Sequence, residues 1–459
     1  MTDLSAFKAY DIRGQIGVNL DSALARKIGR AFAEVLGCKS AVIGRDIRPS
    51  SPEITEALTQ GLIAGGVDVI DIGLVGTEEV YFATSHLGAD GGLMVTASHN
   101  PIDYNGIKMV AAGSRPLSAD GEMERLKQLC GGPDLPDAAT PGKRSEADTR
   151  DAYAEKIVSF VDVASLKPLK ILVNAGNGVA GPSFDAIAEK LAKKGAPLTF
   201  ERMHHEPDAS FPNGIPNPLL PENQPVTGEQ VKASGADMGV AWDGDFDRCF
   251  LCDEAGDFVE GEFVVALLAK GFLQLYPGAN IVHDTRVAWN SRKCITEAGG
   301  TAISSPTGHS LIKALMRKED AVYGGEISAH HYFRDFYYCD SGMIPWLTIA
   351  QLMSVEGARL SEMVADMRAA FPSSGEINFR LGNPEAAKQA FEAKYAGEAE
   401  DANRLDGLSL EFADWRVNLR SSNTEPVLRL NVETRGDRAL LDAKVAEISA
   451  LIRDTGEPA

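Results

Sequence analysis

The sequence is poor in cysteine, long apolar runs and positive charge, and each shortage removes a class of function. Six cysteines, at 38, 130, 249, 252, 294 and 339, are scattered over 459 residues. That is too sparse for a disulfide framework. Cys249 and Cys252 form a lone CxxC inside Cys249-Phe250-Leu251-Cys252. With no second pair and no helix opening after it, the motif reads as buried core thiols rather than a zinc or redox site. Charges or turn residues break every apolar run well before about 18 residues, so no membrane span is expected. Met1-Thr2-Asp3-Leu4-Ser5 has no basic region followed by an apolar one, and cytoplasmic residence is the expectation. Low-complexity tracts are lacking too. Lys and Arg total 45 against 65 Asp and Glu, a net charge of −20. A field of that sign repels nucleic acid and anionic membrane, and neither is an expected partner. A phosphate-ester ligand would have to be met locally, by particular Arg and Lys side chains and by a metal.

What remains is the composition of a soluble globular protein, 44% hydrophobic and 24% charged, long enough for several domains. Three segments share one grammar: a β-branched apolar run, a polar Gly-containing loop, then an amphipathic helix. That grammar specifies βα units on a mainly parallel sheet. In the first, Ala41-Val42-Ile43-Gly44 leads to Ser50-Ser51-Pro52, a helix start with serine as cap. A later strand, Leu93-Met94-Val95-Thr96, runs into Ala97-Ser98-His99-Asn100-Pro101. In the second, strand 170–173 opens the loop Asn174-Ala175-Gly176-Asn177-Gly178, a helix carries Phe184, Ile187 and Leu191, and strand Met238-Gly239-Val240-Ala241-Trp242 delivers Asp243-Gly244-Asp245-Phe246-Asp247-Arg248. In the third, strand 280–283 precedes Asp284-Thr285-Arg286, and strand Ala321-Val322-Tyr323 delivers Gly324-Gly325-Glu326-Ile327-Ser328-Ala329-His330-His331. From about Phe371 the pattern alternates, as in Leu408-Ser409-Leu410-Glu411-Phe412 and 427–432, and predicts antiparallel strands covered by helices over 384–395 and 438–453. The expected fold class is α/β: three related mixed-sheet α/β domains (1–150, 151–255, 256–370) and a smaller C-terminal α+β domain (371–459). The polar loops fall at the carboxyl ends of strands, where open sheets bind ligands, and can face one shared cleft.

Asp243, Asp245 and Asp247 are the sharpest local signal. Alternate positions on extended or loop backbone aim three carboxylates the same way, which is costly unless a cation neutralises them. A set of hard oxygen ligands this small suits Mg²⁺. Ser98, at a strand exit, reads equally as a helix cap or as a nucleophile needing a base or metal; the aspartates tilt it to chemistry. Lys108 reads as a surface lysine or, near a metal and other cations, as a proton-transfer group of lowered pKa. Arg420, Ser422, Asn423 and Thr424 read as an Asx/Ser turn or as a phosphate grip combining a guanidinium with a backbone nest. Glu326 and Ser328 alternate on one side of an extended segment and suit sugar hydroxyls; His330 shares that side, and His331 points away into packing.

Taken together these motifs, with Lys8-Ala9-Tyr10-Asp11-Ile12-Arg13-Gly14 near the start and Arg420-Ser421-Ser422-Asn423-Thr424-Glu425-Pro426 near the end, resemble the α-D-phosphohexomutases, and within them the bacterial phosphomannomutase/phosphoglucomutase branch. The resemblance covers nearly the whole chain. It implies four domains around a central cleft, a phosphoserine at Ser98, and Mg²⁺ held by Ser98, Asp243, Asp245 and Asp247. It implies that His99, Lys108, Arg248 and His330 attend phosphoryl transfer. Tyr10, Arg13, His309, Glu326, Ser328, Arg420, Ser422, Asn423 and Thr424 would bind substrate. The implied reaction converts hexose 1-phosphate and hexose 6-phosphate, of mannose or glucose, through a hexose 1,6-bisphosphate that also serves as activator. Both phosphates must fit one clamp in turn, so a hinge near Phe371 is expected. A monomer or weak dimer is expected. Pro306, Thr285 and Ala209 depart from the pattern, the first two beside the sugar loop. Two rivals use the same residues: a serine phosphomonoesterase, and a phosphosugar-binding protein without catalysis.

Overall fold

Alternation of β-branched runs with amphipathic helices builds four sheets. The computed structural model describes residues 3–8, 10–421 and 427–456. Two compact units emerge, Met1–Phe258 with His330–Gly357, and Val259–Ala329 with Ala358–Ala459.

In the first unit, strands Gly91–Val95, Ser40–Arg45, Asp68–Leu74 and Arg144–Glu146 are parallel neighbours. Tyr104–Ala111 and then Ile12–Gln15 extend the sheet antiparallel. Helices Ser22–Leu36 and Ser51–Ala64 pack beside it at backbone distance. A Cβ on Gly29 would sit 2.3 Å from the Leu58 carbonyl, and one on Gly61 2.1 Å from that of Arg26, so glycine at both crossings is a packing requirement. A second sheet orders Cys249–Cys252, Met238–Trp242, Leu169–Asn174 and Leu198–Met203, with only the first strand antiparallel. Helix Ala180–Lys193 buries Phe184, Ile187 and Leu191 as expected. The hairpin His331–Phe333 and Cys339–Asp340 also lies in this unit.

In the second unit, Thr301–Ser305, Asn280–Asp284 and Tyr323–Gly325 form a parallel three-strand array. The expected strand from Ala321 starts two residues later, because Ala321 and Val322 complete the exit of helix His309–Glu319 through the left-handed Asp320. The C-terminal sheet is antiparallel throughout: Ile377–Arg380, Val427–Thr434, Trp415–Ser421, Leu408–Glu411, Asp401–Asn403. Its two faces differ. Val417, Leu419, Leu428, Leu430 and Val432 join the apolar core with Phe391 and Ile448. On the other face Arg416 opposes Glu433, Asn418 opposes Asn431 and Arg420 opposes Arg429.

Three mixed α/β sheets and a smaller antiparallel one are the expected fold class. The segment where a hinge is expected, near Phe371, is hydrogen-bonded on both sides in this conformation. Residues 371–376 lie inside the second unit, pinned where Thr434 N donates to Pro372 O at 3.0 Å and Ser374 N to Val432 O at 2.9 Å. Ser373 Oγ donates to the buried Glu262 carboxylate at 2.5 Å. All six cysteines are free, and Cys249 and Cys252 are buried strand residues.

Candidate active site: a buried serine facing three aspartates, and an arginine cluster

Strand Gly91–Val95 ends three residues before Ser98, which a turn places at φ 50°, left-handed backbone that costs a serine about 1 kcal/mol or more. Buried groups hold it there. Arg48, 1% exposed, donates to the carbonyl oxygens of Ser98 (2.9 Å), Asn100 (2.5 Å), Pro101 (2.7 Å) and Tyr104 (3.1 Å). Asp46 neutralises it at 3.4 Å. Sequence reading missed Arg48. Its signal was Gly44-Arg45-Asp46-Ile47-Arg48 at the carboxyl end of a strand. A serine does cap the helix, at Ser50, but it makes no side-chain capping bond; its hydroxyl instead accepts from Asn105 at 2.8 Å.

Ser98 Oγ donates to Asp243 Oδ2 at 2.6 Å and lies 2.9 Å from His99 Nδ1. Burial, and then the Arg248 guanidinium, hold the His99 imidazole below its ordinary pKa. Asp243, Asp245 and Asp247 are all at most 2% exposed, and their carboxylate oxygens converge within 4.8 Å. Oδ1 of each is buried without a hydrogen bond. Three such orphaned oxygens are the donor set a hard divalent cation completes, so these residues fit a magnesium ion.

Phe246, between two of the aspartates, has φ 44°. Its ring lies against Gly76, where a Cβ would stand 2.1 Å from Cε1; only glycine admits the ring there. The next residue, Thr77, donates Oγ1 to Asp245 Oδ2 at 2.6 Å. Glu78 accepts from Tyr153 Oη and, at 2.8 and 2.5 Å, from Ser341 Oγ and Gly342 N. Glu79 accepts from Ser183 Oγ at 2.8 Å. One helix start thus ties the aspartate loop to three other segments, and no local motif announced it.

Lys108 Nζ donates to Asp245 Oδ2 at 2.7 Å and also to Asp247. The expected lowering of its pKa is corrected. Burial does push that way, but Asp245 and Asp247 outweigh it and raise the ammonium above its ordinary value. Asp247 is held well below the usual carboxylate range: burial opposes this, and Lys108 and His330 prevail. Arg248 Nε donates to His330 Nε2 at 3.1 Å and stands 3.9–4.0 Å from Asp247 and Asp243. Arg13 donates to Ala97 O at 3.3 Å and to the Asn100 amide oxygen. Tyr10 is half-buried. His331 is fully buried, its pKa lowered by burial to about 3, as packing requires.

The second unit gathers the remaining residues. Glu326 Oε1 accepts from Gly308 N at 3.1 Å, at the start of the helix that His309 opens. Arg286 Nη2 stands 3.7 Å from Glu326 and 3.4 Å from Ser328 Oγ, so one guanidinium spans the predicted pair on its shared side. Arg286, itself missed in the sequence, pairs with Asp284 at 2.6 Å. Arg420 Nη2 donates to Glu376 at 3.1 Å. Ser422, Asn423 and Thr424 lie outside the described residues.

A strained, buried serine facing a three-carboxylate cluster, and an arginine cluster beside a Glu/Ser pair, are the parts of a phosphohexomutase. The chain belongs to the phosphoglucomutase/phosphomannomutase family: it matches its alpha/beta/alpha domain I over residues 4–128, domain II over 151–256, domain III over 260–371 and the C-terminal domain over 376–451. A phosphomannomutase of Salmonella montevideo is 55% identical over 454 residues, covering 98% of this chain and 100% of that one. A phosphomannomutase of Escherichia coli strain K12 is 52% identical over 456 residues, covering 99% and 100%. Among solved structures, a phosphoglucomutase/phosphomannomutase family protein of Burkholderia thailandensis superposes with a TM-score of 0.88 at 34% identity, covering 100% of both chains.

Proposed function

We propose that this protein is a magnesium-dependent mutase that interconverts hexose 1-phosphate and hexose 6-phosphate through phosphorylated Ser98 and a hexose 1,6-bisphosphate. One observation carries most of the weight: Ser98 Oγ, 2.6 Å from Asp243, beside three carboxylates that each keep an oxygen without a hydrogen bond.

In the first half-reaction the free hydroxyl of the sugar phosphate attacks phosphorus on phospho-Ser98. The new P–O bond to the sugar forms as the P–Oγ bond breaks. The proton leaving the hydroxyl is matched by the one Oγ regains. The second half-reaction reverses these bonds with the other phosphate of the bisphosphate. Asp243, Asp245 and Asp247, with an oxygen of the phosphoryl group on Ser98, would hold Mg²⁺, which supplies charge neutralisation at the transferring group. Lys108, Arg248 and Arg13 add fixed positive charge, and His99 and His330 attend the transfer. Tyr10, His309, Glu326 and Ser328 orient the sugar, while Arg420, Ser422, Asn423 and Thr424 grip the distal phosphate. Glu326 and Ser328 would read hydroxyls that mannose and glucose share, so both sugars are expected substrates.

The proposal includes four domains bounded near residues 150, 255 and 370, a monomer or weak dimer, and cytoplasmic residence. Among the described residues no helix is long and apolar enough to cross a membrane, and six free thiols suit a reducing compartment.

Mannose 1-phosphate and glucose 1-phosphate, each with catalytic 1,6-bisphosphate and Mg²⁺, test it directly. Both should yield the 6-phosphate, and chelation should stop both. Ser98→Ala should lower turnover by at least about a thousandfold while sugar-phosphate binding persists. Inorganic phosphate released as fast as substrate disappears would make the protein a phosphatase instead.

A further inference from the structure

The second unit holds more guanidinium charge than a single phosphate grip requires, and that charge is cancelled internally. Arg286, Arg420 and Arg429 converge on one carboxylate, Glu376. Arg420 Nη2 lies 3.1 Å from its Oε2, Arg286 Nη1 3.6 Å from Oε2 and Arg429 Nη1 3.5 Å from Oε1. Asp284 and Glu326 add two carboxylates, 2.6 and 3.7 Å from Arg286. Among the described residues, these three guanidiniums and three carboxylates balance in formal charge.

Two features distinguish Glu376 from an ordinary structural counter-ion. Its contacts are graded: one is a hydrogen bond, and the other two exceed hydrogen-bond length. At 22% exposure its side chain reaches solvent, whereas those of Arg286 and Arg420 are at most 9% exposed. Moreover, among the described residues Arg420 Nε is buried without an acceptor, a donor left open to an anion. The cluster offers a donor to a second anion, and Glu376 is the most exposed of its present carboxylates, at 22% against 1% for Asp284 and 3% for Glu326.

We propose that Glu376 is a built-in competitor of the substrate phosphate: it keeps Arg286, Arg420 and Arg429 assembled between turnovers and weakens their grip enough for the bisphosphate to let go. This rests on the function proposed above, in which one clamp must hold each phosphate in turn. A fully cationic clamp would bind the first phosphate well and release it slowly. A neutral one that exchanges a carboxylate for a phosphate keeps the two states closer in free energy.

Glu376→Gln keeps the shape and removes the charge; Glu376→Asp keeps the charge and withdraws it by one methylene. Calorimetric titration of the full-length protein with inorganic phosphate should show tighter binding, by about fivefold, in the Gln variant. The Asp variant should show no tightening. Steady-state assays on hexose 1-phosphate should show the Gln variant with lower KM and lower kcat together. Phosphate binding that is unchanged or weaker in the Gln variant, or tightening in both variants, overturns the proposal, as does a Gln kcat at or above the unsubstituted value. The wild-type assay separates the two ideas: no mutase turnover with phosphate tightening intact would remove the proposed reaction and leave the competing role of Glu376 standing.

Discussion

Ser98 illustrates how a single residue acquires chemistry from its surroundings. Its left-handed backbone, its carbonyl bond to Arg48, which also holds three further carbonyls of the same loop, and its hydroxyl bond to Asp243 convert a serine that local pattern left ambiguous into one held against a carboxylate cluster. Thr77 does for Asp245 what Arg48 does for the serine loop. Its hydroxyl fixes the carboxylate, 168 residues away in sequence, and groups that orient metal ligands typically change metal affinity tenfold or more when removed. Thr77→Val should therefore weaken Mn²⁺ binding, read by electron paramagnetic resonance, by about tenfold, and Thr77→Ser should restore it. Equal weakening in both variants would mean that the threonine methyl, not its hydroxyl, matters. The Asp triplet was legible because its signal is local. Arg48, Thr77 and Glu376 were not, because each acts on a partner brought near only by folding.

Elements carry the next level. The strands Trp415–Ser421 and Val427–Thr434 place apolar residues on one face and three polar cross-strand pairs on the other. Alternation predicts the two faces, and the polar one is a joint rather than a solvated surface. Arg416, 1% exposed, donates to the carbonyl oxygens of Thr285 and Arg286 at 2.5 and 3.1 Å. Glu433 accepts from the amides of Ala288 and Trp289 at 2.9 and 3.1 Å, capping the helix Trp289–Glu297 with negative charge where its dipole favours it. Glu262 sits in the first turn of helix Gly261–Leu275, and burial pushes its carboxyl up from 4.5 to about 7, with Ser373 opposing and Glu260 and Glu433 assisting. A carboxyl raised in the folded state binds its proton there more tightly than in the unfolded chain. Stability tied to Glu262 is therefore full below pH 4.5 and falls as pH rises toward 7. Urea unfolding should show Glu262→Gln flattening that decline, with a gain of up to about 3 kcal/mol at pH 8 and little difference near pH 4.5. An unchanged pH slope would contradict it.

At the scale of the whole molecule, a net charge of −20 leaves three buried aspartates in an already acidic protein, so a divalent cation that binds them should stabilise the fold. Mg²⁺ at a hundred times its dissociation constant should add about 2.7 kcal/mol, visible as a rise in Tm, and Asp243→Asn should remove most of that rise. A Tm insensitive to Mg²⁺ in the unsubstituted protein would count against the cation site. The βα grammar, the antiparallel C-terminal sheet, the buried cysteines and the ordered motifs were determined by the sequence itself, because hydrophobic period and turn chemistry act over a few residues. The lowered pKa of Lys108 failed for the opposite reason: a segment distant in sequence supplied two carboxylates to it. Tertiary structure alone decided which charges meet. Electrostatic and hydrogen-bond partners depend on distance in space, and burial magnifies whichever contacts folding makes.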